Sequence, residues 1–187
     1  MSKLEVESRP IIESLIKARN FLLTAENMTT LSQYFTMKFM VADQSPMTKP
    51  TFNDTERTDF YTERKIPSGL NIILYNYRFE PDDIAQYNKE VSNVHSDAGE
   101  ALQVDGLANF TVRFGNLMAQ GLFFRAAEGR IGGKSGYSLA VHPFEHAPVN
   151  WPPLFCLSMT EAYAVQHMIE TLVMRNTRPS PTQRSPT

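Results

Sequence analysis

The chain carries a single cysteine, Cys156, among 187 residues, so no internal disulfide can form. Its neighbours Leu154, Phe155 and Leu157 make it read as a small buried hydrophobe. Long apolar runs are missing as well. None exceeds four residues, which leaves no segment able to cross a bilayer as a helix. The opening Met-Ser-Lys-Leu-Glu-Val-Glu places acids where a secretory signal needs an apolar stretch. The expected setting is therefore the cytoplasm or a virion, with no membrane partner. Strong charge of one sign is absent too, since 18 basic side chains face 20 acidic ones. Apolar residues make up 42% and charged residues 20%, which excludes a wholly disordered chain.

What is present is a chain of the length of one compact domain. The expectation is a single globular domain over residues 1–175, with a long extended connection at 42–69 and a flexible Pro/Ser/Thr tail at 176–187. The charge is uneven along it. Residues 51–105 carry five basic and eleven acidic side chains, whereas 106–187 carry seven basic and four acidic. Complementary surfaces between copies, or merely differing solvated faces, both account for that.

The periodicity predicts a helix over Pro10–Ala25, with Ser8 as cap and Pro10 in the first turn. Residues 30–41 fit helix or strand, with helix favoured by Thr29 and Thr30 as caps. The connection at 42–69 admits one short edge strand around Phe60–Lys65. Leu70–Phe79 reads as the best strand, followed by a helix opening at Glu80-Pro-Asp-Asp with Ile84, Tyr87, Val91 and Val94 as its stripe. Leu107–Ala127 reads as a long helix in which Gly115 and Gly121 allow close approach of another backbone. A strand over Tyr137–Val141 and a helix starting at the Ser158-Met-Thr-Glu161 box complete the series. His95 and His167 fall in helices. The predicted fold class is α+β, mainly α-helical, with helices packed on a small antiparallel sheet.

Three patterns carry candidate chemistry. His142-Pro-Phe-Glu145-His146 spells H-x-x-E-H and resembles the zinc motif of the inverzincin metalloproteases. The resemblance implies His142 and His146 as metal ligands, Glu145 as the base, and Glu161 or Glu170 as third ligand. Pro143, Pro148 and the strand leading in oppose the helix that this motif needs. Gly129-Arg-Ile-Gly-Gly133-Lys134-Ser135 resembles a Walker A phosphate loop, but Glu128 stands where the first glycine belongs. The third pattern is a basic, aromatic, glycine-rich stretch. Arg113, Arg125, Arg130 and Lys134 can meet phosphates, and Tyr137 can stack on a base. The interleaved phenylalanines read as core.

No residue set points to a cofactor, a small-molecule substrate or paired catalytic carboxylates. The leading expectation is a non-enzymatic, self-assembling structural subunit, of the kind found in an RNA-binding viral coat or ribonucleoprotein. Its partners are further copies or a larger complex, with RNA at Arg113, Arg125, Arg130, Lys134 and Tyr137. The alternatives are a metal-dependent hydrolase using residues 142–146 and a protein-binding adaptor without nucleic acid.

Overall fold

The computed structural model describes residues 2–44, 50–78, 86–90, 94–95, 101–102, 107–124, 136–144 and 148–166. Helix α1, Lys3–Ile16, starts at a capping box: Glu5 N–H donates to Ser2 Oγ at 3.3 Å and Ser2 N–H to Glu5 Oε2 at 2.9 Å. The helix therefore begins earlier than Pro10 and ends well before Ala25. Pro10 lies inside it, which costs about 3 kcal/mol in a helix interior. Burial of Leu4, Ile11, Ile12 and Leu15, worth about 1.5–3 kcal/mol each, outweighs that cost. Ser8, expected as the cap, is buried in mid-helix.

A short strand β1, Phe21–Leu23, leads into helix α2, Ala25–Ala42. Thr24 and Asn27 form its capping box, so the helix expected for residues 30–41 is present and begins sooner. Helix α3, Asp54–Glu63, opens at a third box between Asn53 and Glu56. It replaces both the extended connection and the edge strand expected around Phe60–Lys65. The reason is local: the Asn53-Asp-Thr-Glu56 start satisfies helical N–H groups that a strand would leave to solvent.

The main sheet has the order β3-β6-β7-β2-β8 and is antiparallel throughout. Its strands are β2 (Leu70–Asn76), β3 (Gln86–Glu90), β6 (Leu107–Phe114), β7 (Leu117–Phe124) and β8 (Ser138–His142). Two small pairs accompany it: β4 (Val94–His95) with β5 (Ala101–Leu102), and β1 with β9 (Val149–Trp151). Helix α4, Met159–Gln166, follows, capped through Ser158 and Glu161 as its sequence predicts.

The mainly helical expectation is overturned; helix and strand are roughly balanced. The largest correction is at 107–127, where a hairpin stands in place of a helix. Gly115, at φ +55°, and Asn116 make its two-residue turn, and Asn116 N–H donates to Ile16 O at 3.0 Å. Gly121 gives room to a ring rather than to a backbone, because a Cβ there would collide with Phe39. The helix expected after Glu80 is also absent from its described part: residues 86–90 and 94–95 are strand, which places His95 in β4. His167, the expected tail at 176–187 and residues 80–85 lie outside the described residues.

Helices α1 and α2 cover one face of the sheet. Phe39 and Phe52 each stack on Phe110 at 5.4 Å, and Phe52 meets Phe123 at 5.0 Å. Trp151 closes this core, its indole N–H donating to Leu15 O at 3.2 Å. Among the described residues no helix is long and apolar enough to cross a membrane.

Candidate functional site

The second face of the sheet differs in chemistry. Strand alternation places Ile73 and Tyr75 of β2, Met118, Gln120 and Leu122 of β7, and Asn109, Thr111 and Arg113 of β6 on it, and Tyr77, just past β2, joins their cluster. Helix α4 packs there through Ala162 and Val165. The Tyr75 hydroxyl donates to Gln120 Oε1 at 3.1 Å, and Gln120 Nε2 donates to Asn109 Oδ1 and to Val165 O. Asn109 Nδ2 in turn donates to Gln166 O. The buried amides thus satisfy two carbonyls in the last described turn of α4, groups that a helix end leaves open. Burial pushes the Tyr75 hydroxyl well above the usual tyrosine range. Thr111 Oγ1 is buried with no hydrogen-bond partner among the described residues. The row is a clamp for a helix end, without an acid–base pair.

Arg113, expected at phosphates, is buried in this layer. Its guanidinium lies 5.7 Å from the Tyr77 ring centre and 5.0 Å from that of Tyr163. Two aromatic faces hold the cation inside the protein. Arg125, Arg130 and Lys134 lie outside the described residues, in the connection from Phe124 of β7 to Gly136. That connection re-enters at a defined place. Gly136, at φ +77°, accepts the Phe155 N–H at 2.8 Å, and a Cβ on it would come within 2.8 Å of the Phe155 ring. Tyr137 is half-buried and its ring lies 4.9 Å from that of Phe155.

Around this pair the surface is apolar. Leu154 is 89% exposed and Phe155 52%, and Met159 and Tyr163 of α4 are also exposed. Cys156, which its neighbours make read as a small buried hydrophobe, is half-exposed; of those neighbours Leu157 is buried and Leu154 and Phe155 are not. Burial still pushes the Cys156 thiol above its ordinary value, which disfavours a reactive thiolate. The signal for an exposed loop was the Pro152-Pro153 pair just before it.

His142 ends β8 opposite Ile72, half-buried, with burial lowering its pKa. The first residue of the H-x-x-E-H segment therefore stands on a strand, where i and i+4 do not share a helical face. Glu145 and His146 lie outside the described residues. Among the described residues no three of His, Cys, Asp and Glu gather as a set for a metal ion.

A second surface lies on the helix-covered side. A groove of about 450 Å³ runs between α2 and α3, lined chiefly by Met37, Met40, Val41, Phe60 and Tyr61. Asp43, paired with the lining residue Arg57, is fully buried. Its carboxylate accepts the Thr51 N–H at 2.8 Å and the Phe52 N–H at 2.9 Å, and pairs with Arg57 at 2.5 Å and Lys89 at 2.7 Å. Arg57 also donates to Met40 O at 2.8 Å, so one buried cluster fixes α3 against the end of α2 and against β3. No single-residue signal points to it, because the partners stand far apart in sequence.

No protein-family model matches the chain, and no curated protein or solved structure shows significant similarity to it. The functional reading rests on the residues themselves.

Proposed function

We propose that this protein is a non-enzymatic, self-assembling structural subunit that carries RNA on its Tyr137 side, as a coat or ribonucleoprotein component would. One observation carries the reading: large apolar side chains stand exposed on both outer layers. Val41 and Tyr61 lie on the helix layer, and Leu154, Phe155, Met159 and Tyr163 on the α4 layer. Scattered single apolar residues need no explanation, but a cluster on each layer offers contacts to two different neighbours. Such two-sided contact is what an extended assembly requires.

The RNA contact is supported by the Tyr137–Phe155 aromatic pair at the end of a connection whose sequence carries Arg125, Arg130 and Lys134 against Glu128 alone. Aromatic rings stack on any base, and the cations meet phosphates. Arg113, enclosed by tyrosines, is not part of this contact. Size-exclusion chromatography with absorbance at 260 and 280 nm tests the whole reading. Multimers with a high 260/280 ratio are expected. Replacing Arg125, Arg130 and Lys134 with alanine should lower that ratio, and an unchanged ratio would remove RNA from those residues.

A further inference from the structure

The groove between α2 and α3 is bordered by two side chains that local packing does not explain. Tyr61 is 84% exposed and Val41 is 65% exposed, beside a cleft lined mainly by apolar atoms. A helix on a free surface gains nothing by projecting a tyrosine from its solvent face while an apolar trough stands open alongside. The charges of α3 are ordered as well. Asp54 and Glu56 stand in its first turn, whereas Arg64 and Lys65 follow its last residue, Glu63. The helix dipole accounts for that order on a lone helix, but it does not account for Tyr61 or Val41.

We propose that this face is a two-fold contact between copies of the chain, with α3 antiparallel to the partner's α3 and each Tyr61 seated in the partner's groove. The inference deepens the self-assembly reading and rests on it. Antiparallel pairing sets Asp54 at the start of each helix toward the Arg64–Lys65 pair that follows the other; parallel pairing would set Asp54 beside Asp54 of the partner subunit. Setting Thr58 opposite Tyr61 of the partner subunit within the two helices carries Asp54 past the partner's helix end, toward its Arg64 and Lys65. Thr58 lines the groove and is small, so it leaves room for the ring. The same alignment holds in both directions, as an isologous contact demands. Lys65 is free to turn to a new partner, because its contact with Asp59 is an exposed 3.4 Å pair of little strength. Arg64 is placed at the groove edge, its guanidinium 5.7 Å from the Phe60 ring.

Sedimentation equilibrium on nuclease-treated protein in a Leu154→Asp background isolates this contact from the α4 surface. The expected species is a dimer, and Tyr61→Asp should raise its dissociation constant at least about tenfold. Asp54→Lys should weaken the dimer, and Asp54→Lys combined with Lys65→Asp should restore it. Restoration identifies the antiparallel pairing, because the double reversal works against the helix dipole and does not rescue helix stability. All three sites are exposed, and circular dichroism verifies that the variants stay folded. An unchanged dissociation constant in Tyr61→Asp, or no restoration in the double variant, overturns the two-fold contact. Where unaltered protein assembles but the Leu154→Asp background is monomeric, self-assembly stands and this contact is overturned. Where unaltered protein is itself monomeric, the self-assembly reading falls and the contact falls with it.

Discussion

The two faces of the main sheet are buried by different means. Toward α1 and α2, Phe39, Phe52, Phe110 and Phe123 pack ring against ring, and a buried acid of that layer, Asp43, is surrounded by donors. Toward α4, a row of amides and a tyrosine hydroxyl shares the interior with apolar side chains, and Thr111 Oγ1 finds no partner among the described residues. The first face is held by packing and one charge cluster. The second is held by hydrogen bonds that fix the end of a short helix. Both sides nonetheless leave aromatic surface exposed, Tyr61 on the first and Phe155 and Tyr163 on the second.

Substitutions can break that contrast, and the largest effect belongs to the first face. Asp43→Ala leaves Arg57 and Lys89 without their buried carboxylate and should lower unfolding free energy by about 3–5 kcal/mol in urea denaturation. On the second face, Gln120→Leu orphans Asn109 and the Val165 carbonyl, with an expected loss of about 1–3 kcal/mol. Thr111→Val removes an unpaired hydroxyl at nearly constant shape, so it should be neutral or raise stability by up to about 1 kcal/mol. A loss comparable to that of Gln120→Leu would show that the hydroxyl has a partner. Leu154→Asp should change stability by less than about 0.5 kcal/mol while reducing assembly, which separates surface from core.

A pH effect sharpens the comparison at the sheet edge. Burial lowers the His142 pKa below its ordinary 6.5 in the folded chain. The unfolded chain therefore binds a proton first as pH falls. The stability that His142 contributes is full above about pH 6.5 and is lost below it. Thermal melts at pH 7.5 and 5.5 should show a smaller drop for His142→Phe than for the unaltered chain.

Much of the local structure was legible, and the misreadings share a cause. Strands at Leu70 and Ser138 and the box at Ser158 and Glu161 announce themselves through pattern and capping chemistry. The β6–β7 hairpin did not, because both its faces are buried and strand alternation vanishes from its apolar pattern. Phe110, Phe114, Leu117 and Met118 then fit a helical stripe equally well. The available signal was Gly115-Asn116 between two apolar runs, a two-residue turn pair. At the candidate site, Tyr137 stood out beside the glycine-rich connection. Arg113 looked like its neighbours in that stretch, yet strand alternation turns it inward to two tyrosines. The Asp43 cluster was hidden because Arg57 and Lys89 approach it only through tertiary folding.

Light scattering on purified, nuclease-treated protein across a hundredfold range of concentration is the most direct measurement of the self-assembly claim. The expected result is a mass above that of one 21.2 kDa chain, rising with concentration and falling in Leu154→Asp and Tyr61→Asp. A mass of 21.2 kDa at every concentration would contradict it.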